Sequence, residues 1–155
     1  WNDADMIVAG LKGGSLTEDE SKSHFAIWSI LASPLIMSND LRELPEWAVK
    51  ILRNKEIIAV DQDVMGKQGI RITPFEETRS VWARPLANGD VAVALHNHGE
   101  EVVDIPLDFK IIGNKMKYSL RDLYEHEELG EFEGRYVAKS VPVHGVQMLR
   151  LTPIA

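Results

Sequence analysis

Asp3 and Asp5 stand two positions apart, directly before the apolar run Met6 to Ala9. On a regular strand, residues i and i+2 share a face at about 3.3 Å per residue, so the two carboxylates would lie roughly 6 to 7 Å apart. That spacing fits an inverting glycosidase better than a retaining one, whose carboxyl groups lie about 5 to 5.5 Å apart. As plain structure, the same pair caps backbone N–H groups at a strand end, and that reading weighs more for the pair taken alone. A place at the C-terminal end of a barrel strand would shift the balance toward function. Ser38-Asn39-Asp40 follows a second short apolar run and would sit on the same face, with a polar turn as its simpler reading. His96 and His98 are also two apart, but a third ligand is missing from the pattern and Gly99 follows, so a hairpin end is expected and no metal is assigned. Glu125 to Glu128 reads as a solvated loop. Asp61-Gln62-Asp63 lacks the glycine and terminal glutamate of a calcium loop.

The elements that must position these groups change character near Gly66. Met6 to Ala9 suits the end of a buried strand. Thr17 with Glu20 is a capping-box signature, and Phe25, Trp28, Leu31 and Ala32 share one helical face, which predicts a helix from about Glu18 to Ser33. Pro34 ends it, Leu35 to Met37 is a short strand, and a second helix opens at Pro45 and fades near Asn54. Strand and helix alternate there as in parallel βα units. Beyond Gly66 come short strands at Gly69–Thr73, Ser80–Leu86, Asp90–His96, Glu101–Pro106, Lys117–Leu120, Arg135–Val141 and Val146–Leu151. Asn88-Gly89 between two of them predicts a hairpin with a type I′ turn. Two βα units cannot cover their own strand faces, so the first part needs further neighbours.

Composition narrows the function classes. Of 155 residues, 17 are Lys or Arg and 24 Asp or Glu, a formal net charge of -7 that offers no footprint for nucleic acid. Cysteine is absent, which excludes thiol catalysis, Cys-ligated zinc and disulfides. The longest apolar stretch, Phe25 to Met37, is interrupted by Ser29, Ser33 and Pro34 and is too short to span a membrane. A first residue of Trp rather than Met leads to the expectation that the chain is a piece of a longer protein.

Trp1-Asn2-Asp3-Ala4-Asp5-Met6 resembles the WNDPDM motif of the α-galactosidases and α-N-acetylgalactosaminidases of glycoside hydrolase family 27. The resemblance continues through Ser23-His24-Phe25-Ala26-Ile27-Trp28, Asn39-Asp40-Leu41-Arg42, Ile58 to Asp63 and Gly66 to Gly69, and then through Val81 to Leu86, Arg121 to Tyr124 and His144-Gly145. It implies α/β plus all-β architecture: the last βα units of a (β/α)8 TIM barrel over residues 1–65, then a C-terminal antiparallel β-sandwich over residues 66–155. It further implies a retaining enzyme acting on an α-galactoside through an Asp nucleophile and an Asp acid/base, both upstream in a missing N-terminal barrel segment. Asp5 and Met6 match positions that line the family's sugar pocket, with Asp3 supporting that loop, and the inverting pair gives way to this reading. Ala4 departs from the family's proline. No cofactor, nucleic acid or membrane partner is implied, and an extracellular or lysosomal/vacuolar location is, although no N-x-[ST] sequon occurs. Two other readings are a non-catalytic carbohydrate-binding or assembly module and a short enzyme using Asp3 and Asp5.

Overall fold

In the computed structural model, the described residues are 3–14, 16–74, 78–113 and 116–154. The segment before Gly66 contains three helices: α1 (Glu18–Ile30), α2 (Glu46–Leu52) and α3 (Lys55–Asp61). Strand character in this segment is confined to one parallel bridge, Ile7 with Met37, so Leu35 to Met37 does not form a full strand. The capping box forms as expected: Thr17 accepts from Glu20 N–H while the Glu20 carboxylate accepts from Thr17 N–H. The helix stops earlier than Ser33 because Ala32 turns left-handed at φ +53°, which ends the helical ladder.

The second helix ends just before Asn54, as expected, but a further helix starts at once, because the Asn54 side chain accepts from the Glu56 and Ile57 N–H groups and caps a new helix carrying Ile57 to Val60.

Eight antiparallel strands follow: β1 (Ile70–Arg71), β2 (Arg79–Pro85), β3 (Val91–Asn97), β4 (Val103–Asp108), β5 (Lys117–Asp122), β6 (Glu127–Glu133), β7 (Arg135–Val141) and β8 (Val146–Pro153). Six make one sheet in the order β1-β2-β3-β8-β5-β6, and β4 and β7 form a second sheet facing it. β6 corrects the loop expected at Glu125 to Glu128. There His126 takes φ +57°, turning the chain so that Glu127 and Glu128 enter the ladder opposite Asp122 and Arg121. The β2–β3 hairpin forms, but not with a type I′ turn. Gly89 alone is left-handed, at φ +91°, and its N–H donates to Leu86 O at 3.0 Å while Leu86 N–H donates to Asp90 O, the pattern of a type I turn followed by a left-handed glycine.

Alternation along β3 and β8 explains how the two parts join. Val93, Leu95, Leu149 and Leu151 face Ile105, Leu107 and Ala138 of the second sheet and fill the sandwich. Ala92, Ala94 and Met148 point the other way, onto Phe25, Ala26, Ile30, Ile57 and Val60 of the helices. Two alanines on that face let helix α1 approach the sheet closely. Gly69 sits at the same seam: its N–H donates to Ile30 O at 2.7 Å, and a Cβ there would stand 2.5 Å from the Ile30 side chain.

Polar groups also cross the seam. Arg84, fully buried, donates to Ser29 O at 2.6 Å and to Asp61 O at 3.2 Å. Asn54 donates to Leu123 O at 2.7 Å, and Tyr124 donates its hydroxyl proton to Lys22 O at 2.6 Å. Arg121 grips Glu56 with two hydrogen bonds of 2.6 and 2.9 Å.

Candidate functional site

The Ile7–Met37 bridge places the loop carrying Asp3, Asp5 and Met6 beside the turn Ser38-Asn39-Asp40. Ile7 N–H donates to Ile36 O at 2.7 Å and Ser38 N–H returns to Ile7 O at 3.2 Å. Asn39 continues the tie by donating its amide to Ala9 O at 2.8 Å. Asp40 pairs with Arg42 through its own turn, in contacts of 2.9 and 2.6 Å, which lower the Asp40 pKa and raise that of Arg42.

Asp5 adopts φ +67°, a left-handed conformation that costs a non-glycine residue about 1–2 kcal/mol. This breaks the regular strand on which the 6 to 7 Å carboxylate separation rested. Among the described residues, three hydrogen bonds hold the conformation. Asp5 N–H donates to Asp3 Oδ1 at 3.1 Å, Met6 N–H donates to Asp5 Oδ1 at 2.7 Å, and Trp28 Nε1–H of α1 donates to Asp5 O at 3.0 Å. Asp5 remains exposed, and its Oδ2 makes no hydrogen bond among the described residues. Met6 beside it is 50% exposed, and Ile36 and Leu41 are exposed apolar residues as well. An open carboxylate oxygen next to exposed apolar atoms is what a sugar needs, hydroxyl donors meeting the carboxylate and the ring's C–H face meeting the thioether. Trp1 and Asn2 of the same motif lie outside the described residues.

His24, one turn before Trp28 on α1, was not singled out by its chemistry in the sequence. Its ring lies 4.0 Å from the indole, centroid to centroid, and its Nε2 accepts from Val8 N–H at 3.2 Å. Burial holds its pKa below the usual histidine value, consistent with an unprotonated Nε2. Two ring-bearing residues at i and i+4 on one helix face were the available signal.

His96 and His98 do come together, with ring centroids 5.6 Å apart, but no group of three or more metal-ligating side chains exists among the described residues. Burial, then the neighbouring His98, presses His96 down to about 4. His144 is the opposite case. Its Nδ1 lies 3.1 Å from Glu20 and its Nε2 3.3 Å from Glu100, and the hydrogen bond to Glu20 raises its pKa. With these side chains, a groove of about 380 Å³ runs between α1 and the end of β3, walled by Leu16, Ile27 and Trp28.

Two family models match. One described as alpha galactosidase A covers residues 1–63, and one described as the alpha galactosidase C-terminal beta sandwich domain covers residues 76–151. Alpha-galactosidase 3 of Arabidopsis thaliana is 36% identical over 157 residues, an alignment that takes in 99% of this chain and 36% of that protein. A probable alpha-galactosidase of Dictyostelium discoideum is 36% identical over 99% of this chain and 40% of its own length. Among solved structures, alpha-galactosidase I of Mortierella vinacea superposes on 100% of this chain and 40% of its own, with a TM-score of 0.92 and 31% identity. A GH27 β-L-arabinopyranosidase of Geobacillus stearothermophilus superposes on 100% of this chain and 38% of its own, with a TM-score of 0.89 and 27% identity. The chain spans between 36% and 40% of the length of these relatives.

Proposed function

Because the chain belongs to glycoside hydrolase family 27, the family of the alpha-galactosidases, we propose that it contributes the Asp5–Met6 edge of the sugar subsite to a retaining glycosidase that removes terminal α-linked galactose. The observation that carries the reading is the Asp5 loop, a left-handed aspartate held by hydrogen bonds to its backbone on both sides while one carboxylate oxygen, beside Met6, has no hydrogen-bond partner among the described residues. In this reading Asp5 accepts from sugar hydroxyls, Met6 packs against the ring, and Asp3 holds the loop. The nucleophile and the acid/base are supplied by a barrel segment outside residues 1–155. Residues 1–65 belong to that barrel and residues 66–155 to the sandwich that braces it.

What supports this division of labour is the share of the family that the chain spans, 36% to 40% of its relatives' length, which leaves most of such a protein to supply the rest of the pocket. An extracellular or lysosomal/vacuolar location goes with the reading, and no helix among the described residues is long and apolar enough to cross a membrane.

The β-L-arabinopyranosidase neighbour makes substrate choice the point to test, because L-arabinopyranose is galactose without the exocyclic hydroxymethyl group. For the protein at its full natural length, kcat/KM should be highest on an aryl α-galactoside, ahead of the aryl β-L-arabinopyranoside and the aryl α-N-acetylgalactosaminide. Asp5→Asn should lower it by about 10- to 100-fold, the loss of a charge-assisted hydrogen bond. An unchanged kcat/KM in Asp5→Asn would remove Asp5 from the sugar subsite.

A further inference from the structure

We propose that His24 and Trp28 of α1 are positioning residues for Asp5, acting as a relay that fixes both ends of the sugar-facing segment 5–8; this rests on the reading of Asp5 as a sugar ligand. The left-handed backbone at Asp5 persists only where its surroundings over-determine it. Two of its three restraints, from Asp3 and from the Asp5 side chain, are local to the loop and move with it. The Trp28 Nε1–H to Asp5 O bond of 3.0 Å comes from a different element, and it registers the loop against helix α1.

An indole with one hydrogen bond still needs its plane fixed, and the His24 ring 4.0 Å away does that. His24 is anchored in turn, since its Nε2 accepts from Val8 N–H at 3.2 Å, three residues after Asp5. The segment Asp5 to Val8 is therefore gripped at its first carbonyl by Trp28 and at its last amide by His24, and the two grips lean on each other. Acceptance at Nε2 requires the neutral Nδ1–H tautomer, because an imidazolium has no acceptor. Protonation of His24 would place a donor against a donor and release Val8. The charged and titratable groups that face it across the groove are Glu20 on α1, His96 and His98 at the end of β3, and His144 before β8. Leu16, Ile27, Trp28 and Ser23, whose hydroxyl donates to His144 O, complete the wall.

The test uses the protein at its full natural length, with steady-state kinetics on an aryl α-galactoside and amide hydrogen exchange at Met6 and Val8. Trp28→Phe keeps an aromatic ring beside His24 and removes the donor. It should raise KM about three- to tenfold with kcat changed less than about twofold, and speed Met6 exchange by a similar factor, the worth of one neutral hydrogen bond. His24→Leu should raise KM comparably, and His24→Gln, whose amide oxygen can still accept from Val8 N–H, should recover most of the loss. Wild-type KM should climb as pH falls below the usual histidine range, and this climb should be absent in His24→Gln. Faster exchange with an unchanged KM would make the relay structural only and overturn the inference, leaving the proposed function standing. Wild-type protein that neither binds nor hydrolyses any of the three glycosides would instead remove the proposed function, and the relay's role with it. A Trp28→Phe protein with wild-type KM and wild-type exchange would overturn the relay outright.

Discussion

The helical segment and the sandwich solve the same burial problem in different ways. The sandwich closes on itself: its two sheets seal Val93, Leu95, Ile105, Leu107, Phe109, Leu120 and Leu149 between them. Among the described residues, the segment 3–63 has one parallel bridge and no sheet of its own, and its core is completed by Ala92, Ala94, Leu123 and Met148 from the outer face of the sandwich. On its other side Met6, Ile36 and Leu41 stay exposed. The sandwich is thus a brace, and the Asp5 loop sits on the part that depends on it. A site borne on that loop would be held in place by supporting contacts that are not themselves chemical.

If the helical segment depends on the brace, breaking the seam should cost more than breaking either part. Arg84→Met should have the largest effect. It removes both hydrogen bonds to Ser29 O and Asp61 O from a fully buried guanidinium and leaves two buried carbonyls without that partner, at about 3 kcal/mol or several degrees in Tm. Asn54→Ala should follow, at about 1–2 kcal/mol by chemical denaturation, since one side chain both caps α3 and reaches across to Leu123 O.

The Arg121–Glu56 clamp sharpens the comparison through pH. The hydrogen bonds from Arg121 hold the Glu56 pKa down to about 2, below its ordinary 4.5. A depressed carboxylate contributes stability that is complete above the unfolded value and is lost as pH falls through the folded one, so the clamp should weaken between about pH 4.5 and 2. Tm measured across that window should fall less steeply in Glu56→Gln than in the wild type.

His144 gives the smallest and opposite effect. The hydrogen bond to Glu20 raises its pKa above 6.5, so its contribution is fully present below that value and is lost as pH rises through the folded pKa. Tm of His144→Gln should converge with the wild type on the alkaline side and lag it slightly on the acid side. Divergence at high pH instead would show that His144 does not act as a cation joining Glu20 to the sandwich.

Much of this organisation could be read in advance, and the exceptions have physical causes. The capping box at Thr17, the apolar face of α1 and the span Arg135–Val141 emerged from local pattern because each is decided by neighbours close in sequence. β6 was hidden because Glu127 to Glu133 carries four acidic residues and contributes chiefly Leu129 and Phe132 to the core, so an edge strand looked like a solvated loop. α3 was hidden because Ile57 to Val60 is a short unbroken apolar run, equally apt for strand or helix until the Asn54 cap is seen. The type I′ reading of Asn88-Gly89 failed because the strands pair with a longer loop, in which Asn88 need not turn left-handed. At the site, the motif pointed to Asp5 and Met6, whereas the left-handed turn at Asp5 and the support of Trp28 and His24 depend on contacts 16 and 23 residues distant in sequence.

The proposed function makes residues 1–155 the shape and brace of a sugar subsite whose reacting carboxylates lie elsewhere. Turnover of an aryl α-galactoside by the purified 155-residue chain, with Asp5→Asn beside it, tests this most directly. Neither protein should show turnover above background. Clear turnover that disappears in Asp5→Asn would contradict the proposed function and make Asp3 and Asp5 the working pair of a much smaller enzyme.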